Sequence, residues 1–184
     1  MTKYFSAVLL FVCALSLSAG DLKGTGEVDA FGGGVDLSQG GGNHGLFGFS
    51  GGYGIASMAQ IFGEYSYAPT GSGGGYTSHL NDFQGGVKVS RQSDKIEPYA
   101  LLGLGVGHFT ASSSSVVIGG YTFSGSSASS TNFGLHLGGG ARIYLGSKKW
   151  GIAPEIRWGR YFSSNSGSLN VFRYTGGIFY QWGK

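Results

Sequence analysis

The chain has 184 residues, with 38 glycines, 15% aromatic residues, 11% charged residues and a formal charge of +3. That length gives one domain, and so small a charge excludes electrostatic binding of nucleic acid. A single cysteine, Cys13, excludes a disulfide framework.

Residues 1–19 read as a secretory signal peptide. Lys3 supplies the basic start, residues 4–15 the apolar stretch, and Ser16-Leu17-Ser18-Ala19 the small residues for cleavage. The apolar run is too short for a transmembrane helix, and no later run is apolar enough for one. Cys13 follows Val12, where a lipid anchor wants a smaller residue. The mature domain is then 20–184, free of cysteine.

Eight segments of that domain alternate with period two, the mark of strands. The first is 27–37. The second, 44–56, sets Phe47, Phe49, Tyr53 and Ile55 on one face. The third, 60–68, sets Ile61, Tyr65 and Tyr67 against Phe62 and Glu64. The fourth, 79–91, sets Phe83, Val87 and Val89 against Asp82, Gln84 and Lys88. The fifth, 96–110, leaves its facing open, because Tyr99, Leu101 and Phe109 oppose Leu102, Leu104 and Val106.

The sixth and seventh form the clearest hairpin. Residues 133–145 set Leu135, Leu137 and Ile143 against His136 and Arg142, and 150–162 set Trp150, Ile152, Ile156 and Trp158 against Glu155 and Arg157. Pro154, in mid-strand, removes a ladder hydrogen bond and calls for a local bulge. The eighth, 169–182, sets Phe172, Tyr174, Ile178, Tyr180 and Trp182 against Arg173 and Gln181.

In these strands one face is greasy and the charges gather on the other. A membrane barrel turns the greasy face to lipid and the charged face to its lumen. The connections predicted between segments alternate in length. The longer ones, 69–78 and Ala111 to Ser130 among them, are rich in Ser and Gly. Short periplasmic turns and longer external loops have that parity, which puts both termini in the periplasm. Residues 116–123 suit a small hairpin extending the barrel. Twelve steps from Trp150 to Phe162, at ~3.3 Å each and tilted by 40–45°, rise about 28–30 Å. Trp150, Tyr180 and Trp182 then mark the periplasmic edge of the apolar band, and Phe162 with Tyr161 the outer edge. Clustered glycines such as Gly138-Gly139-Gly140 suit a narrow, strongly coiled wall.

Several motifs resemble a known family. Alternating residues closing on Tyr180-Gln181-Trp182 resemble the terminal signal of bacterial outer-membrane barrels. Pro98-Tyr99-Ala100-Leu101-Leu102-Gly103-Leu104-Gly105 is similar to a strand of the small OmpA/OmpX-like barrels. Phe133 to Arg157 is similar to their penultimate hairpin. The resemblance implies an all-β fold, an eight-stranded antiparallel transmembrane β-barrel in an up-and-down meander. It implies a place in the outer-membrane bilayer, and reading of the C-terminal strand by the barrel-assembly machinery. The trailing Gly183-Lys184 departs from members that end on the aromatic.

Projected inward, the alternation collects a lumen charge network: Glu64, Asp82, Lys88, His136, Arg142, Glu155, Arg157 and Arg173, with Glu27 and Asp29 as further members. Glu155, Arg142, Arg157 and Arg173 come from consecutive strands and are expected to meet. Eight strands leave an interior that side chains fill, so a closed barrel is expected. The chemistry-bearing readings are weaker. No histidine carries the His-x-Ser-Asn pattern of the deacylase barrels, so no catalytic residue is assigned. His44, His79, His108 and His136 lack metal-ligand spacing, so no metal is assigned. The glycine runs lie in strands with no helix to follow, so no nucleotide cofactor is assigned. The expected role is structural or surface-interacting, with the loop from Ala111 to Ser130 as the place for an external ligand. A small passive solute channel is the alternative, and a secreted glycine-rich soluble protein a third.

Overall fold

The computed structural model describes residues 22–37, 42–73, 76–91, 95–114, 116–118, 121–147, 149–163 and 167–183. The predicted signal peptide lies outside the described residues. Ten strands follow in chain order: β1 (Gly26–Leu37), β2 (Gly42–Gly54), β3 (Ala59–Gly73), β4 (Tyr76–Ser90), β5 (Ile96–Ser113), β6 (Val116–Ile118), β7 (Tyr121–Phe123), β8 (Ser127–Tyr144), β9 (Trp150–Ser163) and β10 (Gly167–Trp182). Eight of them close a barrel in the order β1-β2-β3-β4-β5-β8-β9-β10, and β10 pairs back onto β1. Every barrel pair is antiparallel.

The register fixes the shape. Gly26 pairs with Tyr53, Tyr53 with Ile61, Ile61 with Val87, and Val87 with Leu102. Leu102 pairs with Leu137, Leu137 with Trp158, Trp158 with Phe172, and Phe172 with Asp36. One circuit thus returns to β1 ten residues above its start, from Gly26 to Asp36. Eight strands with that stagger tilt by about 40° from the barrel axis. The seven side chains between those ends are all large, apolar and outward.

The barrel is inside out relative to a soluble sandwich. Ile178 is 66% and Phe49 61% exposed, whereas Arg142 is 1% and Arg157 2% exposed. Apolar side chains facing out and guanidinium groups facing in suit lipid, where backbone groups must find their partners within a closed sheet. The fifth segment's facing is resolved: Glu97, Tyr99 and Leu101 are buried, and Leu102, Leu104 and Val106 are exposed.

Several expectations need correction. The stretch predicted as a loop at 69–78 is mostly strand, because β3 runs to Gly73 and β4 begins at Tyr76. The loop from Ala111 to Ser130 is shortened likewise, by β5 running to Ser113 and β8 starting at Ser127. Its hairpin, β6 and β7, is a separate two-stranded sheet rather than barrel wall. Connection length therefore does not alternate as predicted; instead the strands overshoot the rim away from the termini. Ser and Thr suit an exposed pleated surface as well as a loop, so polar composition misled the reading. No bulge forms at Pro154. The β8–β9 ladder lapses between Gly140–Glu155 and Ile143–Ile152 and resumes in the same register, and pairing to β10 is unbroken. The bulge in this sheet lies at Pro69–Gly71 instead. Tyr161 faces the lumen, 2% exposed, because alternation from outward Phe162 turns it in.

Two glycines separate a required vacancy from a tolerated one. A Cβ at Gly86 would lie 2.1 Å from the Leu102 carbonyl oxygen, whereas one at Gly63 meets nothing within 4 Å. Gly86→Val should lower stability by about 1–3 kcal/mol through overpacking. Gly63→Val, on the open outer wall, should stay within about 0.5 kcal/mol. Urea midpoints of the two folded barrels in lipid check the contrast.

Candidate functional site

The lumen is stacked in three layers. The layer beside the termini is centred on Arg142 of β8. Its Nε lies 2.6 Å from Glu27 Oε2 and its Nη1 2.7 Å from Glu97 Oε1. Nη2 donates to Gln60 Oε1 at 2.6 Å and to Glu27 Oε1 at 2.9 Å. Glu97 also accepts from Ser90 and Tyr144, each at 2.7 Å. Lys88 Nζ lies 3.7 Å from Glu27 and over the Phe62 and Tyr99 rings. Every carboxylate oxygen here has a charged or hydroxyl donor, which is what makes burial of ions tolerable.

The middle layer is centred on Glu64. Arg157 holds it with a two-pronged fork, at 3.0 and 2.9 Å, and Arg173 Nη2 donates at 2.7 Å. Such paired contacts fix geometry as well as charge. Arg157 also donates to Gln84 Oε1 and to Glu155 Oε1, both at 2.5 Å. Arg173 lies 3.5 Å from Asp82, which also accepts from Gln84. The Tyr99 hydroxyl donates to Glu155 at 3.0 Å while the Arg142 guanidinium sits 5.0 Å above its ring. Tyr99 thereby ties the two charged layers together.

The third layer, toward the long-strand rim, is apolar. Val35, Leu37, Leu46, Leu80 and Val171 bury one another with Tyr161, and Phe109 and Leu169 pack against them. Sequence alternation could have found this layer, since these side chains share faces with the lumen charges.

The predicted network is thus brought inside, but split. Glu64, Asp82, Glu155, Arg157 and Arg173 meet in one layer, and Lys88 and Arg142 belong to the other. The expected meeting of Arg142 with Glu155 does not occur; Arg142 is taken by Glu27 and Glu97. His136 is 1% exposed but meets the Tyr161 ring edge-on at 5.3 Å. Asp29 lines a small polar space with Glu64, Glu155 and Arg173. Glu97 is the main omission. Its strand's facing was open, although its two-residue spacing from Tyr99 was the available signal. Among the described residues no His, Cys, Asp and Glu set is placed to share a metal ion.

The aromatics named for the two edges sit near opposite ends of the wall. Trp150 pairs with Tyr180 at the rim of the termini, and Tyr180 stacks on Trp182 with centroids 6.2 Å apart. Phe162 pairs with Phe133 near the opposite rim. Above that level β3, β4, β5 and β8 continue as an upstanding sheet. The β2–β3 ladder stops at Phe47–Tyr67, and the β8–β9 ladder begins at Phe133–Phe162. The β3 edge is blunted by Pro69 and its bulge. The β8 edge, Ser127 to Asn132, has no proline, charge or register shift, and five of its six residues are exposed. Of the predicted ligand region, the side chains of β6 and β7 lie outside the described residues.

The central acceptor should matter more than the flanking one. Glu64→Ala leaves two buried guanidinium groups short of a partner and should cost on the order of 3–5 kcal/mol. Glu155→Ala should cost less, because Arg157 keeps Glu64. Denaturant unfolding of the two variants in the same lipid gives the comparison.

No protein-family model matches the sequence, and no curated protein matches it. Solved structures do. Neisserial surface protein A is 17% identical with a TM-score of 0.65, over 87% of this chain and 100% of that one. The attachment invasion locus protein Ail of Yersinia pestis is 15% identical with a TM-score of 0.58, over 87% and 99%. The N-terminal β-barrel domain of Pseudomonas aeruginosa OprF is 14% identical with a TM-score of 0.54, over 87% and 98%. With its greasy wall and closed ladder, this chain has the fold of the small eight-stranded β-barrels of the bacterial outer membrane.

Proposed function

We propose that the protein is a closed outer-membrane barrel that acts at the cell surface by binding, without catalysis and without passing solute. The observation that carries this reading is the lumen. Two ion-paired layers and an apolar layer occupy it in series, with Arg142, Arg157 and Tyr161 each no more than 2% exposed. The passive-channel alternative needs a continuous wet path through those layers. We place both termini in the periplasm because the strands overshoot the rim away from them, as the extended outer side of such barrels does. The upstanding sheet then faces outward.

The binding element proposed is the β8 edge. An exposed strand edge offers backbone donors and acceptors to an extended segment of another chain. The blunted β3 edge favours β8 as the open side. The segments at this rim, 69–78 and 111–130 among them, contain no Asp, Glu, Lys or Arg. A neutral extended polypeptide suits that surface better than a polyanion such as the heparin analogue bound by Ail. Assembly is assigned to recognition of the C-terminal strand by the barrel-assembly machinery, with Trp182 as its terminal aromatic.

Three measurements test this. Planar-bilayer recording of the purified barrel should give no steady conductance, and a reproducible open level would defeat the closed lumen. On an array of extended neutral peptides, binding should survive Ser129→Ala and be lost in a Ser129→Pro/Thr131→Pro variant, because the backbone makes the contact. Trp182→Asp costs only about 0–1 kcal/mol at a membrane interface, so a severalfold loss of folded barrel in cells would point to recognition. Unchanged outer-membrane levels would sink that assignment.

A further inference from the structure

The outer wall is not uniform around its circumference. On β2, β3 and β4 five aromatic rings stand together. Phe49 and Tyr65 are 5.5 Å apart between centroids, Tyr65 and Phe83 4.8 Å, and Phe47 and Tyr67 5.4 Å. The Tyr65 hydroxyl is held by Asn81 at 2.7 Å. Phe47, Phe49 and Phe83 are each more than half exposed. This is a ridge.

The opposite wall carries a hollow of about 1020 Å³. Its floor includes Gly139 and Gly176, and Leu137, Trp158, Phe172 and Tyr174 rim it. A Cβ built on Gly176 meets nothing within 4 Å, so the floor is open to the outside. In the ring order, β9 lies four strands from β3, half of the circuit.

Ridge and hollow also share a level. The ten-residue stagger makes the hydrogen-bonded row climb a little over one residue per strand. On that scale the ridge lies about five to nine residues above Gly26, and the hollow about two to nine. Aromatic girdles belong at the edges of the apolar band, which here are marked by Trp150 and Trp182 below and Phe162 above. The ridge lies between those edges, so the girdle does not account for it.

We infer that the aromatic ridge of one copy seats in the glycine-floored hollow of the next, so that the barrels pack side by side in rows within the membrane. Lipid tails are as apolar as Phe or Leu, so burial alone gives no drive. Close packing decides, and small residues allow it by letting the backbones approach. A ridge and a hollow are unlike surfaces, so their contact is heterologous and repeats from copy to copy. Faces half a circuit apart extend such a contact into an open row instead of closing a ring.

Disulfide cross-linking in phosphatidylcholine vesicles tests this. The mature chain has no other cysteine by the reading above. Tyr65→Cys and Gly176→Cys together should give a ladder of dimers, trimers and larger species under mild oxidation. Each substitution alone should give monomers, and the two single variants mixed should give dimers with no ladder. Heat-modifiable migration verifies that each barrel is folded. Amine cross-linking of the unsubstituted barrel in the same vesicles should also give a ladder, reduced at least severalfold by Gly176→Trp. Monomers throughout both assays would overturn the inference and leave the hollow to acyl chains. Dimers from Tyr65→Cys alone would overturn it in favour of like-to-like contact.

Discussion

The closing ladder between β1 and β10 is the constraint on which the rest depends. In lipid an unpaired N–H or C=O has no water to turn to, so a sheet can cross only if it has no edge. Twelve residue pairs, from Gly26–Trp182 to Leu37–Val171, provide that closure. Together with the other seven ladders they add up to the ten-residue stagger, which fixes the tilt and the narrow bore. Once the bore is narrow, long inward side chains must meet one another. The layered lumen is the consequence.

Within that bore, charge is tolerated by sharing partners, although Asp82 Oδ1, Arg157 Nε and Arg173 Nε stay without a hydrogen-bond partner. Glu64 receives two arginines, and Arg142 is shared by Glu27, Glu97 and Gln60. Removing one member of such a set costs more than its net contribution, because its partners stay buried. The aromatic rings of Phe62 and Tyr99 lie beneath the cations and add their own attraction. Toward the long-strand rim the same bore is filled by aliphatic side chains, which keep water from the ion pairs.

The outside follows a different logic. Its apolar residues gain nothing from one another that lipid does not also supply, so shape differentiates the wall. Glycine at Gly139 and Gly176 makes one side hollow, and the rings around Tyr65 make the other side proud. Beyond the apolar band, the strands that overshoot the rim turn to Ser, Thr and Ala, which suit water better than lipid.

Much of this was written in the chain itself. Period two fixed which residues face out and which face the lumen, so Arg142, Arg157, Arg173 and Glu64 were legible as interior, and Trp150 and Trp182 as outward. Alternation is a local property, and each strand carries its own copy of it. Pairing is not local. That Arg142 binds Glu27 and Glu97 rather than Glu155 depends on the stagger, which brings β1, β5 and β8 to one level. The end of each strand was equally hidden, because Ser and Gly serve an exposed edge strand and a loop alike. Glu97 fell between the two: its facing was present in the spacing to Tyr99, but apolar residues on both faces of β5 concealed it until burial was known. The sequence determined the faces of the wall, and tertiary closure decided which side chains meet across it, because a register adds up only around the whole ring.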